Sequence, residues 1–160
     1  MKKLLPTNLH SAGFTLIELM VAIAIVAILS TVGLVVFSNA QSGARDSKRT
    51  SDLDAIAKAL ESKKTSGGVT YSWVASSDFA GNAIPNDPKG VTSYCFAVST
   101  AVPPAAPPTA PAVWAAGCPN GWNDVNGGGA AAAFGANTSS WTVCGMTEQG
   151  VKVICKYSNQ

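Results

Sequence analysis

The chain has 160 residues, 47% of them apolar and only 12% charged, with a formal net charge of +2. Two of the eleven basic residues, Lys2 and Lys3, lie at the very start, so beyond them nine basic residues balance nine acidic ones. That balance argues against strong electrostatic binding of nucleic acid or anionic lipid by the body of the chain, and it favours close packing of many copies. The single histidine is His10, which leaves no histidine-based catalytic or zinc centre further on.

Residues 1–13 are short and polar with two lysines, and Pro6 and Gly13 discourage a helix. They read as a removable leader, outside the fold. Residues 14–37 are an apolar run of 24 residues, about 36 Å as a helix and enough to cross a bilayer. Within it stands one carboxylate, Glu18. A charge at bilayer depth costs about 2.5–3.5 kcal/mol on insertion scales and marks a functional position. Ser38-Asn39-Ala40 carries the small residues that a signal peptidase prefers. However, the run is long for a signal-peptide core of about 7–15 residues, and Glu18 lies inside it. Ser30 and Thr31 interrupt the run mildly through hydroxyls that can bond preceding carbonyls. Gly33 is either a point of loosening or of close helix packing.

The string Gly13-Phe14-Thr15-Leu16-Ile17-Glu18, followed by the apolar run, closely resembles the processing site of type IV prepilins and type II secretion pseudopilins. The resemblance is specific over residues 13–30 and weaker beyond. It implies cleavage after Gly13 and N-methylation of Phe14. It also implies that Glu18, the fifth residue of the mature chain, meets the Phe14 amine of a neighbouring subunit. Physically, Glu18 lies a little more than one helical turn from the Phe14 amine of its own chain. A buried pair of this kind sets register more than it stabilises, because desolvation offsets most of the attraction. The implied partners are other copies of the chain, other pilins, a prepilin peptidase and methyltransferase, a membrane assembly platform and an assembly ATPase.

Residues 38–64 continue the helix, with Gly43 as a weak point. Leu53, Ile56, Ala57 and Leu60 recur at helical spacing as an apolar stripe, and Asp54 can pair with Lys58 on the opposite face. The segment from Arg45 to Leu53, which also resembles pilin-like proteins, reads as a solvated helix face; a charge contact between subunits is the rival. Ser66-Gly67-Gly68 ends the helix. Charge placement does not fix orientation, since Arg45, Lys48 and Arg49 follow the span as Lys2 and Lys3 precede it. The cysteines and the resemblance place the C-terminal part outside.

Residues 65–160 form a β-rich head. Val69–Val74 and Ser93–Val98 read as strands around turn signals at Pro85–Gly90. Pro85-x-Asp87-Pro88 followed by Tyr94 is similar to a loop of major pseudopilins, although Lys89-Gly90 stands where Trp-Gly is usual. Some of those proteins bind calcium through loop carboxylates. Asp78, Asp87 and Asp124 are present without regular ligand spacing, so turn chemistry is the simpler reading of each and no metal site is assigned. Residues 101–112 hold five prolines and favour exposed polyproline II. Asn137-Thr138-Ser139 matches a glycosylation acceptor pattern.

Cys95, Cys118, Cys144 and Cys155 lie in the head without C-x-x-C spacing, which favours disulfides over zinc in an exported domain. Four cysteines allow three pairings. A hairpin of 141–144 with 151–157 around Glu148-Gln149-Gly150 sets Glu148 opposite Val151 and Cys144 opposite Cys155. Directly opposed residues can be bridged, leaving Cys95 with Cys118. No phosphate loop or catalytic constellation is visible, so the chain is not read as an enzyme. The fold expected is α+β and pilin-like, a long N-terminal helix packed on a small antiparallel sheet. The expected role is that of a type IV pilus subunit, first single-pass in the cytoplasmic membrane, then extracellular. The alternatives are a periplasmic type II secretion or competence pseudopilin, and a membrane-anchored binding module that does not polymerise. Arg45, Lys48 and Arg49 are too few and too mixed with acids to argue for DNA.

Overall fold

The computed structural model describes residues 13–65, 67, 70–90, 94–100, 114, 117–127, 133–135, 137–149 and 152–158. The leader before Gly13, the proline-rich stretch 101–112 and the turn residues Gly150 and Val151 lie outside the described residues. The chain divides into two compact units, one ending at Asn39 and the other starting at Ala40.

Helix α1 spans Leu16–Ser62, through Gly33 and Gly43 without a break. Its start is chemically defined. Thr15 and Glu18 form a capping box, in which the Thr15 N–H and Oγ1 both donate to Glu18 Oε2 at 2.8 Å and the Glu18 N–H returns to Thr15 Oγ1 at 3.4 Å. Ser30 Oγ and Thr31 Oγ1 donate to the carbonyls of Val26 and Ile28, the back-bonding expected of hydroxyls in an apolar helix. The last turn closes at Ser62, two residues before the expected Lys64, and Lys64 instead bridges to Tyr71.

In the second unit, four antiparallel strands form one sheet: β1 (Cys95–Ser99), β2 (Asn123–Asp124), β3 (Ser140–Met146) and β4 (Val153–Tyr157), in the order β2-β1-β3-β4. Alternation sorts the sheet into two faces. Phe96, Val98, Trp141, Val143 and Ile154 join the stripe of α1, where Leu53, Ile56 and Leu60 are fully buried. Each of those three contributes about 1.5–3 kcal/mol by leaving water. The opposite face carries Cys95, Cys144, Met146, Val153 and Cys155, covered by Trp114, Cys118 and Trp122.

Over residues 70–74, the described part of the expected strand Val69–Val74, no strand forms. Of its described residues, Tyr71 makes only the isolated bridge to Lys64, and its N–H donates to the carbonyl of Thr138. Its aromatics serve packing instead: Tyr71 meets Trp141 edge-on, and Trp73 stacks on Phe96 at 4.7 Å. Alternation in an apolar segment signalled burial, and burial here is met by rings capping the core edge. Asp54 reaches Lys156 on β4 at 2.7 Å, where pairing with Lys58 was expected. Both partners of the observed pair are partly exposed, so it adds little stability.

Candidate functional site

Two places carry chemistry. The first is the N-terminal part of α1. Every large apolar side chain from Leu16 to Phe37 is at least half exposed, Phe14 being 90% and Leu34 71%. An aqueous surface of that kind is unstable, so this segment is built to be covered by lipid or by other helices. Glu18 stands in the first helical turn, its carboxylate held by its own chain through Thr15. One carboxylate oxygen of Glu18 is thus satisfied within its own chain. The sequence signal for this contact is the capping-box motif Thr15-x-x-Glu18, which overlaps the Gly-Phe step.

The second place is a buried ion network in the second unit, centred on Arg49. Its side chain is 2% exposed and meets three carboxylates. Nη1 donates to Asp46 at 2.7 Å, Nη2 to Glu148 at 2.9 Å, and Nε to Asp87. Arg45 forks onto the two oxygens of Glu148 at 2.9 and 2.7 Å, the bidentate geometry that makes guanidinium pairs strong. Asp46 also accepts the backbone N–H groups of Glu148 and Gln149, both at 2.8 Å. One turn on, Asp52 accepts the Tyr94 hydroxyl at 3.0 Å and pairs with Lys48. The expected solvated face of residues 45–53 is thus corrected: Arg49 and Asp52 are buried within the head and clamp the β3–β4 turn and the Asp87 loop onto α1.

The electrostatics follow the contacts. The Arg45 fork, against the opposing cost of partial burial and with help from Arg49, holds the Glu148 carboxyl down to about 2. Burial works against both Asp46 and Arg49. Backbone N–H groups with Arg49 outweigh it for Asp46, which is lowered, and three carboxylates outweigh it for Arg49, which is raised. Burial, reinforced by Asp52, raises the Tyr94 hydroxyl well above its ordinary value. The three carboxylates considered for calcium have separate engagements. Asp78 binds Lys63 and the Ala75 N–H, Asp87 binds Arg49 and the Lys89 N–H, and Asp124 accepts the Asn126 N–H. Among the described residues no three acidic, histidine or cysteine side chains cluster as a metal site.

The structure bonds Cys144 to Cys155 across the β3–β4 ladder, with Cα atoms 4.1 Å apart, and Cys95 to Cys118, at 5.5 Å. Asn137 is exposed, beside a buried Thr138.

Residues 8–34 match the model of the prokaryotic N-terminal methylation motif, the signature of type IV pilins and pseudopilins. No curated protein and no solved structure matches the chain. The long apolar helix and small antiparallel sheet are consistent with an α+β pilin-like fold, and the motif supports a pilin-like or pseudopilin subunit. Proteins carrying this motif are structural. The motif implies self-assembly with other pilins and processing by a prepilin peptidase, and the apolar helix suits membrane anchoring before assembly.

Proposed function

We propose that this protein is the building block of a type IV pilus-like filament. A prepilin peptidase cleaves after Gly13 and the new Phe14 amine is methylated. The chain waits in the cytoplasmic membrane as a single-pass subunit, and a membrane platform driven by an ATPase extracts it into the filament. Residues 14–37 of many copies then form the central bundle and exchange lipid for one another. Glu18 leaves its Thr15 contact, or shares it, to meet the Phe14 amine of a neighbour and set the register. The observation that carries this reading is the methylation motif continuing directly into a helix whose large apolar side chains from Leu16 to Phe37 are all exposed. Beyond capping its own helix at Thr15, the Glu18 carboxylate at the edge of an apolar bundle gives a neighbour's cationic terminus a partner.

A second reading, the shorter periplasmic pseudopilus, is favoured by one observation. Asp87 and Tyr94, from the pattern similar to major pseudopilins, are among the residues by which the head grips α1, through Arg49 and Asp52. Substituting Glu18→Ala tests the common core. Filaments should be lost while processed subunit accumulates in the membrane; unchanged filament yield would refute register pairing. Location of the filaments, surface or periplasm, separates the two readings.

A further inference from the structure

The four cysteines are arranged for more than stapling. In the ladders, Cys95 lies opposite Cys144 and Cys144 lies opposite Cys155. The strand order puts β3 between β1 and β4, so the three residues form a row on one face of the sheet with Cys144 in the middle. Cys95 and Cys144, each fully buried, are the two that face each other without a bond. Their partners, Cys118 and Cys155, are only partly buried. Directly opposed residues sit about 4.5–5.5 Å apart, inside the range that a disulfide bridges. All four belong to one contact cluster with Trp114 and Trp122.

We propose that this row is a thiol–disulfide relay that moves the staple from the two outer pairs to the buried pair Cys95–Cys144. The co-reactant is a thiol, either a small thiol or the dithiol of an oxidoreductase. Its thiolate attacks the Cys118 sulfur, forming a mixed disulfide there and expelling the Cys95 thiolate. That thiolate attacks the Cys144 sulfur, forming Cys95–Cys144 and expelling the Cys155 thiolate, which takes up the proton that the incoming thiol lost. One thiol is consumed and one is made, with no net oxidation. Attack, central sulfur and leaving group follow the order of the strands, the arrangement that displacement at sulfur needs. Entry at Cys155 runs the same relay backwards and yields the same buried bond. The result keeps β1 and β3 tied while releasing the 117–127 segment from β1 and β4 from its crosslink.

The test is a disulfide map of the full chain, purified in detergent. The protein is exposed to reduced glutathione at about pH 8.5, near the ordinary thiol pKa, quenched in acid, alkylated and digested without reduction. The expected product links Cys95 to Cys144, at least about tenfold over the other three non-native pairs, because register gives that pair alone a high effective concentration. Glutathione sits on Cys118 or Cys155, with the other alkylated. A Cys155→Ser variant leaves Cys144 as a thiol facing Cys95, so Cys95–Cys144 should appear in it without added glutathione. Should that variant fail to fold, the wild-type map alone decides. Only native bonds with simple reduction products, or equal amounts of all non-native pairs, would overturn the relay.

Discussion

Replacing Arg49 by methionine removes the centre of the ion network while keeping most of its volume. The cost falls unevenly among the three carboxylates. Glu148 retains the fork of Arg45, and Asp46 retains two backbone N–H groups. Asp87, with a side chain 1% exposed, loses the guanidinium that bonds its carboxylate, while the Lys89 N–H at 3.1 Å stays in place. Breaking a buried ion pair by removing one partner costs about 3–5 kcal/mol. Against a typical stability of about 5–15 kcal/mol, that is a large share. All four tryptophans, Trp73, Trp114, Trp122 and Trp141, lie in the head. Urea unfolding of the detergent-solubilised chain, followed by tryptophan fluorescence, therefore reads the head alone. The Arg49→Met variant should unfold at clearly lower urea, and adding Asp87→Asn should restore much of the loss, because the buried charge that faced Arg49 is gone. A loss under about 1 kcal/mol, at the level of a surface ion pair, or a double variant no better than the single one, would refute the reasoning.

Three further expectations follow from the same packing. A Cβ built on Gly145 would lie 3.0 and 3.2 Å from two ring carbons of Tyr94 and 3.4 Å from Leu53. Gly145→Ala should therefore cost about 1–3 kcal/mol in urea unfolding, and a neutral result would mean that the ring has room to move. Glu148 titrates below its ordinary 4.5 in the folded head, at about 2. A depressed carboxylate stabilises above its unfolded pKa, so head stability should be full near neutrality and fall from about pH 5 down to about 2. Unfolding curves of wild type and Glu148→Gln should converge across that interval, and parallel curves would contradict it. Phe96 is fully buried, stacked on Trp73 and tilted against Phe134 at 5.5 Å. Phe96→Ala should cost about 3–5 kcal/mol, read by the same fluorescence, and a loss under about 1 kcal/mol would show that the cluster is not part of the core.

Some of this was legible in the residues and some was not, for physical reasons. The apolar run and the Leu53, Ile56, Leu60 stripe are local periodicities, and local periodicity fixes which face of a helix is buried. The β3–β4 register came from two-residue turn logic, which sets every pair down the ladder at once, Cys144 opposite Cys155 included. The Arg49 network was hidden because its parts lie 38 and 99 residues away in Asp87 and Glu148. Nothing in a helix segment of alternating charge tells which guanidinium will be buried. Val69–Val74 misled because aromatic and β-branched residues favour any half-buried extended segment, whether or not it finds a ladder partner. The pattern of Asp87 and Tyr94 was noticed for its likeness to pseudopilins; its physical reason, a grip on Arg49 and Asp52, needed the three-dimensional arrangement.

The central claim is that this chain is processed after Gly13 and assembles through the helix so released. The most direct test is intact-mass and N-terminal analysis of the protein from sheared surface filaments and, separately, from membranes. The account predicts a chain that begins at N-methylated Phe14 and is four hydrogens lighter than its reduced form, matching two disulfides. Such a chain in surface filaments marks a pilus; the same chain confined to the envelope marks a pseudopilus. A chain that begins after Ala40, or one that still carries Met1 in assembled filaments, would contradict it.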